Sequence, residues 1–369
     1  MKRQNSQAGI VSILTVIFFM IFISILVVGF IKIMTDEQRQ TTDNDLSSSA
    51  LAAAQSGIED GKRIILRCND PTPPGQCNTM MNSGVTGDCD RLGSSNGITG
   101  PLGIDMNGDE ALVGEGEFEQ AYTCLTIKKD TEDIKKTLTE GKSEIVKLDV
   151  GAGGFTELTF TWKGSNGSFA VPGPSTLFPP RNAWVTGANT IPPMLRLQFI
   201  PYTAGNVNFD QSERESRTAF VKPSNAAASV PNIQTLDGRG ATAGSLRTST
   251  APVTYATCPV LGASYECTKT IASFDATRSY YLRVSVMYAA ETDLVITARN
   301  GATPVTFKFV QPEIDVTGRA NDVYRRVKAR VSFEAPGVTY PEYALESGNS
   351  ICKRIIVADA VNSDYLACP

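Results

Sequence analysis

The chain has 369 residues, with 34 Lys and Arg against 38 Asp and Glu, eight Cys and no His. The missing histidine excludes Ser-His-Asp and Cys-His nucleophiles and His-ligated zinc or iron, and with them most familiar hydrolases. A formal net charge of −4 gives no global attraction to nucleic acid.

The first predicted element is apolar. From Ile10 to Ile31 the chain runs 22 residues without a charge. As a helix this run is about 33 Å long, enough to cross the hydrocarbon core of a bilayer. The hydroxyls of Ser12, Thr15 and Ser24 can bond to preceding helical carbonyls. Lys2 and Arg3 precede the run, and Asp36 and Glu37 follow it. The positive-inside rule then leaves the N-terminus in the cytoplasm and everything after residue 34 outside. A cleaved secretory signal would have an apolar core of about 7–15 residues and a small-x-small site. The MTDEQRQ that follows here offers no such site, so the segment stays as an anchor. Beyond residue 34 lie 31 basic and 38 acidic residues, a net of −7.

The helix is expected to continue past the membrane. Leu46, Ala50, Ala54, Ile58, Gly61 and Ile65 recur at spacings of 4, 4, 4, 3 and 4, and so share one helical face. No proline occurs before Pro71. A continuous helix from Ile10 to Arg67 would be about 87 Å long. Its second half carries a narrow stripe of mostly small residues, suited to close packing on a β-sheet.

This layout resembles the type IV pilin superfamily, in particular PilX-like minor pilins. The residues that carry the resemblance are the short basic leader MKRQNSQAG ending in Gly9, the apolar run directly after it, and the stretch Ala52, Ala53, Ala54, Gln55, Ser56, Gly57, Ile58, Glu59. The resemblance implies cleavage between Gly9 and Ile10 by a prepilin peptidase, with the apolar helix becoming a filament core. Leu14 stands at the fifth mature position, where major pilins carry Glu. That departure fits a minor pilin rather than the repeating subunit.

Residues 69–117 are rich in Gly, Pro, Asn and Asp, which is loop chemistry in need of staples. Strands are then expected over 118–127, 143–150, 155–163 and 194–202, with a loop or insertion over about 203–250. Further strands are expected over 279–290, 293–299, 304–310 and 323–334, the last preceded by a TGRAND turn. In that last strand Val327, Ala329, Val331 and Phe333 alternate with Arg326, Lys328, Arg330 and Ser332. The basic face reads as a solvated outer face guarding a sheet edge; a docking stripe for DNA, anionic glycan or an acidic neighbour is the alternative.

All eight cysteines (Cys68, Cys77, Cys89, Cys124, Cys258, Cys267, Cys352, Cys368) follow the membrane segment, with no C-x-x-C pair. They read as disulfides formed in an oxidising compartment. Cys258–Cys267 and Cys352–Cys368 are the expected pairs; the other four can pair in three ways. The resemblance implies that the Cys352–Cys368 loop, near the C-terminus as in many pilins, faces other subunits or a receptor.

Three motifs fail as sites. Gly141-Lys142-Ser143 ends like a phosphate-binding loop, but Lys136 stands where its first Gly belongs. Asp105, Asn107 and Asp109 begin like a calcium loop, but Glu110 and Gly116 occupy the positions of its Gly and Glu. The sequon at Asn166 reads as a turn. No catalytic residue, metal or cofactor is expected.

The sequence therefore predicts an α+β protein, with a long N-terminal helix packed on a β-rich, disulfide-stapled exported domain. Its parts are a leader (1–9), a transmembrane helix (10–34), an amphipathic helix (35–67) and the exported domain (68–369). The expected function is that of a minor pilin-like structural subunit carrying an adhesive domain. A secretion-system pseudopilin and a permanently anchored single-pass adhesin are the alternatives. The expected partners are other pilin subunits, the prepilin peptidase, the membrane, and a surface receptor or glycan, with no specific nucleic acid. The expected location is the cytoplasmic membrane, N-terminus in and C-terminus out, then an extracellular filament.

Overall fold

The computed structural model describes residues 8–87, 89, 92–93, 96–113, 119–139, 143–164, 168–173, 184, 190–203, 215–225, 253–288 and 291–333, with side chains from residue 14 onward. The chain divides into Met1–Phe333 and Glu334–Pro369, and every described residue lies in the first unit.

Helix α1 (Ala8–Cys68) runs unbroken for 61 residues. Three single turns follow in the Gly- and Asn-rich stretch: α2 (Cys77–Met80), α3 (Ser83–Thr86) and α4 (Asn96–Thr99). A small hairpin of β1 (Met106–Asn107) and β2 (Glu110–Leu112) leads to β3 (Ala121–Thr131). The next strands are β4 (Asp133–Thr139), β5 (Ser143–Leu148), β6 (Glu157–Gly164), β7 (Met194–Tyr202) and β8 (Arg217–Ser224). The chain continues through β9 (Val253–Thr257), β10 (Val260–Leu261), β11 (Ser264–Ala272), β12 (Ser279–Met287) and β13 (Glu291–Asn300). It closes with β14 (Thr303–Val305), β15 (Phe307–Ala320) and β16 (Val323–Arg330).

Two sheets result. The first has the order β1-β2-β3-β15-β16, is antiparallel throughout, and carries α1 on one face. Burial explains the docking. Ala50, Ala53, Ala54, Gly57, Ile58, Gly61, Ile64 and Ile65 of the helix are buried, against inward positions of β3 and β15 such as Tyr122, Ile127, Ile314 and Val316. The expected stripe is thus the docked face, with Leu46 half-buried at its upper end.

The second sheet runs β14-β13-β6-β11-β9-β8-β7-β12-β5, with β4 also paired to β13. Only β8 and β9 pair in parallel among the described strands. Its end strands β4 and β5 are neighbours in the chain, and Lys136 of one lies 3.9 Å from Glu144 of the other. The sheet therefore curls around its own core. Ile134 and Leu138 from one end share that core with Val146 and Leu148 from the other, around Phe160, Trp162, Leu197 and Leu282.

Strand β15 joins the two halves. Phe307 and Val310 belong to the curled core, whereas Ile314 and Val316 lie under the helix. At the crossover the pairing with β3 shifts register between Lys308 and Glu313. There the Gln311 side chain stands in for a strand: its Oε1 accepts from the Lys135 backbone N–H (2.8 Å) and its Nε2 donates to the Lys135 carbonyl (2.8 Å).

Two sequence expectations need correcting. The stretch 203–250 is not all loop, because β8 lies inside it and pairs with both β7 and β9. The TGRAND turn is confined to Asn321 and Asp322, with Asn321 at φ 48°; the preceding residues are strand β15.

Candidate functional site

The feature that separates this chain from an ordinary β-rich domain is a helix with two unlike halves. Gly9 and Ile10 lie in the first turn of α1. From Leu14 to Met34 the large apolar side chains are 46–71% exposed and touch no sheet. By length and composition this half can cross a membrane. Its polar groups are satisfied within the helix: the Ser24 hydroxyl donates to the Met20 carbonyl (2.7 Å), and Thr35 to Ile31 (2.8 Å). A backbone that meets all its hydrogen bonds internally is what a lipid environment demands.

The other half is held tightly. A Cβ placed on Gly57 would lie 2.5 Å from Val316 and 2.9 Å from Tyr122, and one on Gly61 would lie 2.8 Å from Ile314. The approach is as close from the sheet side, where a Cβ on Gly318 would strike the Ala50 carbonyl oxygen and the Ala54 nitrogen. Glycine here is a matter of space: at Gly57 and Gly61 the bare helix backbone admits side chains of the sheet, and at Gly318 the bare strand admits the helix backbone.

A polar latch fixes the register. The Tyr122 hydroxyl, on a fully buried side chain, donates to Asp60 (2.7 Å), and Arg63 pairs with the same carboxylate (2.6 Å). Burial, and then the Asp60 carboxylate beside it, push the phenol far above its ordinary range, so it stays protonated and donating. Asp60→Ala should remove this acceptor and destabilise the full chain by about 1–3 kcal/mol, whereas Asp60→Asn keeps an acceptor and costs less. Denaturant unfolding in detergent measures both. Equal, negligible losses would deny the latch a structural role.

Three disulfides staple the described part. Cys68 at the end of α1 bonds Cys77, Cys89 bonds Cys124 on β3, and Cys258 bonds Cys267 on β11. The structure thus selects one of the three arrangements left open for the first four cysteines. Cys352 and Cys368 lie outside the described residues.

The basic alternation of β16 is not a free cationic stripe. Arg326 makes two 2.7 Å bonds to Asp315, Lys328 pairs with Glu313 (2.7 Å), and Arg330 reaches Asp133 (2.7 Å) and Glu313 (3.3 Å). Among the described strands β16 ends its sheet, and this outward face is charged on both strands, as an edge guarded against further pairing should be. Asp105, Asn107 and Asp109 fall on and beside the β1–β2 hairpin. Among the described residues no group of three or more His, Cys, Asp or Glu is placed to hold a metal ion.

The sequence missed Tyr122 and Gly318 as partners of the helix. A Tyr among strand residues carries no signal of its own, and Gly318 sits in a motif that reads as a turn. Scans against protein-family models, curated proteins and solved structures return no match. What the chain itself establishes is one long N-terminal helix, apolar enough in its first half to span a membrane, packed by its second half on a β-rich, disulfide-stapled domain.

Proposed function

We propose that this chain is a minor pilin-like structural subunit, inserted by its N-terminal helix into a type IV pilus-like filament. The observation that carries the reading is the division of α1. One half is docked on the sheet through glycine contacts, and the other projects with its apolar side chains uncovered. In the membrane those side chains face lipid; in a filament they face the helices of other subunits, with Ser24 and Gly29 permitting close contact. The two environments are equally apolar, so transfer between them needs no change in the helix. The N-terminus lies on the cytoplasmic side, and a prepilin peptidase cuts between Gly9 and Ile10. The β-rich domain carries whatever recognition the filament offers, a surface receptor or glycan being its expected ligand.

Sequencing the mature N-terminus from the native cell tests this. A start at Ile10 supports the proposal, and an intact Met1 refutes it. Gly9→Val should block cleavage, because a branched side chain intrudes on backbone that the peptidase must approach closely. The variant should remain nine residues longer, in the membrane, and absent from sheared filaments. Normal maturation of the variant would remove the basis for the assignment.

A further inference from the structure

The curled sheet has an open mouth that the helix does not use. Around it the chain leaves a pocket of about 580 Å³, within the size range of small-ligand sites. Its inner wall is largely apolar. Tyr265 is 3% exposed and meets Phe169 edge to face at 4.7 Å, with Ile191 and Pro193 beside them. The Tyr265 hydroxyl and the Thr292 hydroxyl bond at 2.9 Å, and Thr292 bonds the Lys163 carbonyl at 2.9 Å, so the polar atoms of the floor are fixed. Burial, ahead of the other influences on it, raises the Tyr265 phenol to about 12. Gly164 keeps the floor open to this ring, since a Cβ there would lie 2.7 Å from it. Leu261 stands at the lip, 71% exposed.

The rim is charged, and unequally so. Glu266 on β11, with Glu291 and Asp293 on β13, supplies three exposed carboxylates, and Lys163 is the one cation among the described lining residues. In strand register Lys163 sits directly across from Glu266 on one side and Asp293 on the other. Asp293 is also held by the Thr137 hydroxyl (2.9 Å). Among its described residues the mouth is therefore net negative over an apolar, aromatic interior.

We propose that this pocket binds an organic cation with an apolar body, such as a guanidinium or alkylammonium group carried on a hydrocarbon or aromatic frame. The body fills the space over Phe169, Ile191 and Pro193. The cation stays at the rim, beside Glu266 and Glu291. The net charge of −7 beyond residue 34 attracts a cation over long range. The site is independent of the filament reading and stands or falls on its own measurement.

The test uses the full chain in a non-ionic detergent, with empty micelles as the blank. Nα-benzoyl-arginine amide is the probe, its citrulline analogue is the neutral isostere, and calorimetry is the readout. Saturable one-site binding is expected for the arginine compound. The citrulline compound should bind about tenfold more weakly, since several exposed charge contacts each contribute little. Glu266→Gln with Glu291→Gln should produce a similar loss; both residues are exposed, so folding is retained, and circular dichroism checks this. Leu261→Glu tests the opposite sense, and its added carboxylate at the lip should tighten binding. Equal affinity for the two compounds, no saturable binding of either, or an unchanged affinity in the double variant overturns the proposal.

Discussion

Replacing Gly318 by Val should detach the second half of α1 from its sheet, at a cost of about 3 kcal/mol or more. Every atom that the new side chain would meet first belongs to the helix itself: the Ala50 carbonyl oxygen, the Ala54 nitrogen and, at 2.9 Å, the Ala54 Cβ. A flexible side chain could swing aside, but helical backbone can yield only by lifting the helix. Lifting it uncovers Ile58, Ile64 and Ile65 and parts Tyr122 from Asp60. Amide hydrogen exchange over residues 50–65 should rise strongly, while the curled sheet around Trp162 stays protected. Gly318→Ala should show the same pattern in milder form, because the clash begins at Cβ. Thr317→Val, one position along the strand and facing away from the helix, serves as the control. Native exchange in Gly318→Val would show that the helix–sheet contact is not tight.

The same contact explains what the sequence reveals and what it conceals. The helical face is readable because a period near 3.6 repeats over five turns, and Ala and Gly in a stripe point to close packing. The strand beneath is harder to read. The inward positions of the second half of β15 are Ile314, Val316, Gly318 and Ala320, which shrink just where the helix comes closest. Small residues in TGRAND look like turn chemistry, yet they remain strand because the partner supplies the bulk. Strand β8 is concealed for a similar reason: Pro223 and the polar residues near it argue locally for loop, whereas pairing with β7 and β9 decides for strand. The pocket gives no local signal at all. Its walls come from β6, β11 and β13 and from segments beside them, brought together only when the sheet curls.

The cysteines divide in the same way. Cys258 and Cys267 lie nine residues apart on either side of the short β10 strand, a spacing that suggests a bond. Cys89 and Cys124 are 35 residues apart, and only the fold brings Cys89 to β3. Cys68 and Cys77 have the same nine-residue spacing, and a bond between them leaves Cys89 to Cys124.

The long bridge is where the second large effect is expected. Cys89–Cys124 encloses most of the loop-rich segment, and closing 35 residues is worth about 4 kcal/mol in the chain-entropy account. That segment covers the C-terminal part of the docked helix: Met80, Met81, Leu92 and Ile98 share the core with Ile64 and Ile65. It is hydrogen-bonded to β3 as well: the Ser83 hydroxyl accepts from the Ile127 N–H (2.9 Å) and the Lys129 N–H donates to the Met81 carbonyl (3.0 Å). These contacts hold one edge of the segment to β3, but they do not replace a covalent tie at Cys124. The double variant Cys89→Ser/Cys124→Ser should therefore lose about 4 kcal/mol of unfolding free energy. Limited proteolysis should cut it first between residues 88 and 118. Cys258→Ser/Cys267→Ser, which opens a loop of only nine residues, should lose less, about 2–3 kcal/mol. If the short bridge proved the more costly to remove, the loop-rich segment would be held by its packing under α1 rather than by its staple.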